Sequence, residues 1–227
     1  IGDLTMRQRA LGDKIFWKII QALSEGVKDL KFVPKDLMDI ETALCDTYYA
    51  NFSVFQSLPD SWAIGHLFPV MPVHRLAEKP ERNAILADIT CDCDGKIDRF
   101  IDKQGMRRAL KLHTIREDEE YYLGVFLVGA YQETLGDLHN LLGDTNVVSI
   151  RVHEDGNYSF VREIEGDSVA DVLSYVEYDP KDMTKQFRAT AEQAVRENLI
   201  TPRARREIMT MYEEVLRGYP YFAPYRS

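Results

Sequence analysis

Thr90-Cys91-Asp92-Cys93-Asp94-Gly95 is the densest run of reactive side chains in the sequence. It sets a thiol and carboxylates within a few residues, where a strand-like apolar run gives way to a tight-turn signal, Asp94-Gly95. A carboxylate in such a loop can take the cationic end of a substrate through charge-assisted hydrogen bonds. A thiol of suitable acidity can hand a proton to a carbon that has gained an electron pair. If the run continues the strand, alternation sends Cys91 and Cys93 to one face and Asp92 to the other. The same residues also fit a plain turn with a solvated Asp92 and packed cysteines, and the residues alone favour that plainer reading. Metal readings fail on spacing. Cys91-x-Cys93 lacks the wider spacing and second ligand pair of a zinc site, and Asp92-x-Asp94-Gly95 reaches its glycine too early for a calcium loop.

Two further segments carry polar chemistry. Val128-Gly129-Ala130-Tyr131 follows the apolar run Leu123 to Val128. Small residues there let backbone approach a ligand while the phenol offers one directed donor; a strand end with a capping aromatic explains the same residues. Tyr48 to Ser57 is rich in tyrosine and polar residues and fits either a pocket wall or core. The five histidines (His66, His74, His113, His139 and His153) lack ligand spacing and are assigned no role.

The elements that must position these residues fall into three zones. From Leu4 to Asp46 the apolar residues sit at helical spacing, with Ile15, Ile19 and Ala22-Leu23 on one face. Gly26 is expected to end the first helix in left-handed geometry, and Pro34 to open a second running from Lys35 to about Cys45, a helical hairpin. Prolines 59, 69, 72 and 80 then force an irregular connection. Strand-like runs follow at Asn83–Ile89, Lys96–Ile101, Tyr121–Ala130, Asn146–Val152 and Tyr158–Ile164, with turn formers at Asp94-Gly95 and Asp155-Gly156-Asn157. Gln132 to Leu142 reads as a short helix. Helices return at Ser168 to about Tyr178, Pro180 to about Asn198, and from the cap Thr201-Pro202 to near Gly218. An aromatic tail from Tyr219 to Tyr225 is expected to dock on the body. The expected fold class is mixed α+β, with an antiparallel barrel-like sheet between a helical hairpin and terminal helices.

The chain has 227 residues, 45% hydrophobic and 29% charged, with a net charge of −9, so a sizeable core is available. The acidic balance argues against nucleic acid as partner. No apolar run is long enough to cross a membrane, and no secretory signal opens the sequence. Three cysteines (Cys45, Cys91 and Cys93) form no disulfide framework, which points to a reducing, cytoplasmic compartment. The absence of an initiator methionine suggests a fragment.

Tyr49-Ala50-Asn51-Phe52-Ser53-Val54-Phe55-Gln56-Ser57-Leu58-Pro59-Asp60, Asp88-Ile89-Thr90-Cys91-Asp92-Cys93-Asp94-Gly95 and Val128-Gly129-Ala130-Tyr131-Gln132-Glu133 occur in this order. With Leu141-Leu142-Gly143-Asp144-Thr145 and Asp167-Ser168-Val169-Ala170-Asp171, they resemble the C-terminal part of bacterial biosynthetic arginine decarboxylases, over essentially the whole chain. That resemblance implies the alanine-racemase-like fold, in which a β/α barrel precedes a C-terminal β-domain. Residues 1–47 then correspond to the end of a helical-bundle insert, 48–166 to the β-domain and 167–227 to a helical extension. The N-terminal barrel lies outside the sequence.

The resemblance further implies pyridoxal phosphate (PLP) as cofactor, arginine as substrate, agmatine and carbon dioxide as products, and a place in putrescine and spermidine biosynthesis. It implies a homo-oligomer, dimer or larger, whose active sites lie between one subunit's barrel and another's β-domain. By position, Cys91 matches the proton-donating cysteine, Asp92 the acid that meets the guanidinium, with Asp94 a secondary contact, and Tyr131 the tyrosine that hydrogen-bonds the cofactor phosphate. Magnesium dependence also comes with the family, though no ligand set for it is readable here. Phe52 stands where related ornithine decarboxylases carry an aspartate, which favours arginine over ornithine or diaminopimelate. The Schiff-base lysine and glycine-rich phosphate loop have no counterpart, so this chain alone is expected to be inactive; a non-catalytic partner chain is the alternative. Sheet edges left open are expected to make the isolated chain poorly soluble or rearranged.

Overall fold

Short-range capping and alternation shape the elements of the computed structural model, which describes residues 2–27, 40–103 and 105–222. Contacts divide the chain into two units.

The first unit comprises residues 1–48, 67–87 and 97–127. Helix α1, Met6–Val27, starts where Thr5 Oγ1 accepts from the Gln8 amide and Gln8 Oε1 accepts from the Thr5 amide, a reciprocal cap. No α1 residue is buried, and the apolar positions Ile15, Ile19 and Leu23 remain exposed. Gly26 lies inside the helix rather than ending it in left-handed geometry. The expected second arm, Lys35 to Cys45, lies largely outside the described residues; α2, Ile40–Ala43, is its described end.

The sheet of this unit is built on β3, Arg82–Ala87, whose alternation buries Ala84 and Leu86. The order is β1 (Asp46–Tyr49), β3, β4 (Lys96–Ile97), and β7 (Leu110–Leu112) pairs antiparallel with the first half of β3. Arg82 clasps Asp46 through two bonds of 2.6 and 2.8 Å. Two small antiparallel pairs complete the unit: β2 (Val70–Pro72) with β8 (Leu123–Val125), and β5 (Phe100–Asp102) with β6 (Gly105–Arg107). His113 is buried, with Nδ1 2.8 Å from the Tyr121 hydroxyl and Nε2 3.0 Å from the Glu78 carbonyl. Both ring nitrogens are spent inside the fold, so this histidine is structural.

The second unit comprises residues 49–66, 88–96 and 128–227. Two short helices, α3 (Val54–Ser57) and α4 (Pro59–Ala63), are capped by Ser53 and opened by Pro59 respectively. A third, α5 (Ala130–Thr134), replaces the longer helix expected over Gln132 to Leu142. Tertiary pairing stops it: Asp137 donates its N–H to the Phe55 carbonyl, and Gly136 packs so closely that a Cβ there would lie 2.6 Å from the Gln56 carbonyl oxygen. A 3-10 turn, His139–Leu141, follows. The hairpin β9 (Val147–Val152) and β10 (Tyr158–Ile164) turns at Asp155-Gly156-Asn157, where Gly156 has φ +82, and bulges between Phe160 and Arg162. Three capped helices end the unit. Ser168 and Asp171 form a capping box for α6 (Val169–Tyr175), Asp179 caps α7 (Pro180–Arg196), and Thr201 caps α8 (Pro202–Arg217). Stacked rings of Phe187 and Tyr212, 4.2 Å apart, join α7 to α8. The aromatic tail docks as expected as far as Phe222: Tyr221 is buried, its hydroxyl donates to the Gly143 carbonyl at 2.8 Å, and burial holds that phenol neutral well above its usual range. Residues 223–227 lie outside the described ones.

The mixed α and β composition stands, but the barrel-like closure does not. Among the described residues there is one four-stranded sheet and three two-stranded sheets, none closed into a barrel. Several expected strands are cut short. Lys96–Ile101 splits into β4 and β5, and Tyr121–Ala130 shrinks to Leu123–Val125 before Leu127 takes a left-handed φ of +60. Strands of two or three residues cannot carry the stagger that closes a barrel.

Candidate active-site loop

Residues 88–95, which link β3 to β4, begin at a buried carboxylate. Asp88 is 2% exposed; its Oδ2 accepts the Val54 N–H at 2.8 Å, and its Oδ1 accepts the Thr90 N–H at 2.8 Å and the Thr90 hydroxyl at 2.7 Å. Its own N–H donates to the Gly95 carbonyl at 2.8 Å, closing the loop at its neck. Glycine is required there by close approach, since a Cβ on Gly95 would lie 2.2 Å from Asp88 Oδ1. Ile89 donates to the Phe52 carbonyl, tying the loop to the segment that leads into α3.

The neck pushes the reactive residues outward. Cys91, Asp92, Cys93 and Asp94 are all exposed. Asp92 Oδ1 accepts the Asp94 N–H at 2.8 Å, and the Gly95 N–H donates to the Asp92 carbonyl. These residues form a bend and turn, so strand alternation does not apply and the expected grouping of the thiols is corrected. Cys91 faces Asn140: its N–H donates to Asn140 Oδ1 at 3.1 Å, and Asn140 Nδ2 lies 3.5 Å from its sulfur. Cys93 instead lies with Asp92 and Asp94, their ligand atoms within 4.8 Å of one another. That mixed set of one thiol and two carboxylates suits neither a hard-oxygen magnesium site nor a closed sulfur-rich zinc site.

Tyr131 sits near the start of α5, with 74% of its surface exposed. Its hydroxyl has no hydrogen-bond partner among the described residues. Gly129 beside it has open space around the Cβ position and an ordinary φ of −88, so nothing in this chain demands glycine there. No hydrogen bond or ion pair joins Tyr131 to the Cys91 loop. They are linked through α3 and α4. Gln132 Oε1 accepts the Asp60 N–H at 3.0 Å and its Nε2 donates to Asp60 Oδ2 at 2.6 Å, while Phe55 stacks on His139 at 4.5 Å. Within Tyr48 to Ser57, residues Ser53, Val54, Phe55 and Gln56 are core, while Tyr49 and Asn51 are exposed. Asp88, Asn140 and Gln132 are the positioning groups that sequence reasoning missed. Each has a partner 34 to 72 residues away, which no local pattern marks.

Known proteins resemble this chain over nearly its whole length. Residues 169–222 match the family described as the arginine decarboxylase C-terminal helical extension, which spans α6 to α8 and the docked tail. The chain is 48% identical over 225 residues to the biosynthetic arginine decarboxylase of Gloeobacter violaceus, covering 97% of the chain and 35% of that protein. It is 44% identical over 220 residues to the biosynthetic arginine decarboxylase of Bacteroides thetaiotaomicron, with the same two coverages of 97% and 35%. The crystal structure of a biosynthetic arginine decarboxylase from Campylobacter jejuni superposes with a TM-score of 0.68 at 34% identity, over 82% of this chain and 31% of that one. The chain spans about a third of the length of the relatives it matches. Along nearly its whole length, this chain therefore matches the C-terminal part of the biosynthetic arginine decarboxylases, and it closes on that family's helical extension.

Proposed function

We propose that this chain is the C-terminal part of a cytoplasmic, PLP-dependent arginine decarboxylase that makes agmatine and carbon dioxide on the route to putrescine and spermidine. In this reading residues 1–47 end a helical insert, 48–166 form the β-domain and 167–227 the extension. The observation that carries it is the loop of residues 88–95, anchored by buried Asp88 so that Cys91, Asp92 and Asp94 stand in solvent. Exposure of all three suits a pocket completed by the barrel of another subunit in a homo-oligomer.

The residues present fit part of a PLP site. The exposed, unpartnered Tyr131 hydroxyl suits one hydrogen bond to a phosphate oxygen, and open space at Gly129 lets the backbone come close. The covalent anchor must come from elsewhere in the enzyme. When bound, PLP supplies the electron sink that makes loss of the carboxylate feasible. Asp92, an acceptor-only carboxylate, binds the arginine guanidinium, with Asp94 as a second contact. Cys91 then delivers a proton. Its S–H bond breaks as a C–H bond forms on the carbon that released carbon dioxide, and the thiolate left behind regains a proton from water.

The kinetic test uses the full-length enzyme. Asp92→Ala is expected to raise KM for arginine by about tenfold or more, the size of a lost charge-assisted hydrogen bond made in both ground and transition states. Cys91→Ala should lower kcat or deliver the proton to the wrong carbon; an unchanged kcat with clean agmatine removes Cys91 from the mechanism. A panel of arginine, ornithine and diaminopimelate checks the substrate. This chain alone, given PLP and arginine, is expected to show neither a cofactor absorbance shift nor carbon dioxide release.

A further inference from the structure

We infer that Asn140 is a positioning residue that holds the Cys91 thiol with its proton free to leave the loop. The inference rests on Cys91 as the proton donor and adds the group that aims it. A cysteine on an exposed bend would ordinarily sample several rotamers. Here both ends of one amide are spent on it. The Cys91 N–H can only donate, so it fixes Oδ1 as the atom facing the main chain at 3.1 Å, which leaves Nδ2 toward the sulfur at 3.5 Å. The first bond holds the backbone of the loop and the second holds the side-chain torsion. Because Nδ2–H occupies a sulfur lone pair, the S–H bond is not consumed by the contact and remains available to a substrate carbon.

Asn140 is itself held in place. It has φ 57 and ψ 23, a left-handed conformation that asparagine tolerates better than most residues. On one side His139 stacks on Phe55, and Leu142 nearby in the chain is buried. The amide is thus carried on a fixed turn, and no other side chain among the described residues hydrogen-bonds Cys91.

Asn140→Asp tests this with little disturbance. Aspartate keeps an oxygen for the Cys91 N–H and tolerates the same backbone, but it replaces the donor to sulfur with a charged acceptor. The first readout needs no turnover: alkylation of Cys91 and Cys93 by iodoacetamide, followed by peptide mass in cofactor-free full-length protein. Cys91 is expected to react about fivefold or more slowly in Asn140→Asp, because a donor to the developing thiolate is lost and a like charge replaces it. Cys93, which faces Asp92 and Asp94, should stay within about twofold. In the holoenzyme, kcat should fall about fivefold or more with KM for arginine nearly unchanged, and misplaced protonation, seen as inactivation relieved by fresh PLP, should rise toward that of Cys91→Ala. Asn140→Gly, which keeps the left-handed backbone and removes both bonds, should show the same loss of kcat.

Unchanged Cys91 alkylation in both variants overturns the positioning role, as does slowing of Cys91 and Cys93 together, which reports a collapsed loop. If Cys91→Ala leaves kcat unchanged, the proton-donor reading fails instead, and the alkylation rates still show whether Asn140 governs the thiol.

Discussion

At Gly95 an added Cβ would lie 2.4 Å from Thr90 Oγ1 and closer still to Asp88, whereas at Gly129 it would meet nothing within 4 Å. The first glycine is needed by this chain's own packing; the second is not. Gly95→Ala should therefore cost about 2–3 kcal/mol, the usual scale for forcing atoms into a filled space, read as a lowered urea midpoint. Gly129→Ala should change stability by less than about 0.5 kcal/mol. On the proposed reading it should nonetheless weaken PLP binding to the full enzyme, measured by cofactor titration, because the methyl group enters the space the phosphate uses. Cys91, Asp92 and Tyr131 are singled out in the sequence by the family resemblance of their segments, since their residue types alone fit a plain turn and a strand end equally well. Asp88 and Asn140 are not. An aspartate at a strand end and an asparagine in a leucine-rich stretch acquire meaning only when folding brings Val54 and Cys91 to them.

Elements defined by their own neighbours were the easiest to foresee. The α6 to α8 segment was readable because each helix starts with a local cap, namely Ser168 with Asp171, Asp179 before Pro180, and Thr201 before Pro202. The limits of β8 and α5 were not, since bonds to distant segments end them; Asp137 pairs with Phe55. Ser168→Ala should destabilise by about 1 kcal/mol at neutral pH. The hydroxyl and amide of Ser168 hold the Asp171 carboxyl below its usual range. A depressed folded-state value stabilises the fold above the unfolded value, and that contribution disappears as pH falls through the folded one. The gap between wild type and Ser168→Ala should thus be constant near neutrality and narrow in acid, as followed by thermal melts from pH 7 to 2.5. A gap that widens in acid would contradict the capping account.

Across the whole molecule, apolar side chains stand in solvent at sites that regular structure does not explain. Helix α1 exposes Leu11, Ile15 and Ile19, and the β9–β10 hairpin exposes Ile150, Val152, Tyr158 and Phe160. A two-stranded hairpin with an exposed apolar face is marginal on its own, and sheets with open edges invite pairing. The isolated chain is therefore expected to self-associate, giving a mass above 26.2 kDa by size-exclusion chromatography with light scattering. A stable monomer at micromolar concentration would show that these surfaces need no covering. Among the described residues no helix is long and apolar enough to cross a membrane, so these faces are not explained by a helical span.

The loop hangs from Asp88, and among the described residues the side chain of Asp92 contributes to it one surface bond, to the Asp94 amide. The residues that anchor the segment are thus distinct from those the proposed function assigns to the substrate. On the proposed reading, a substitution at position 92 would alter the contact with the cationic end of the substrate while the Asp88 anchor stays intact. Variation there would leave the attachment point of the loop, and the Asn140 contacts of the neighbouring thiol, where they are.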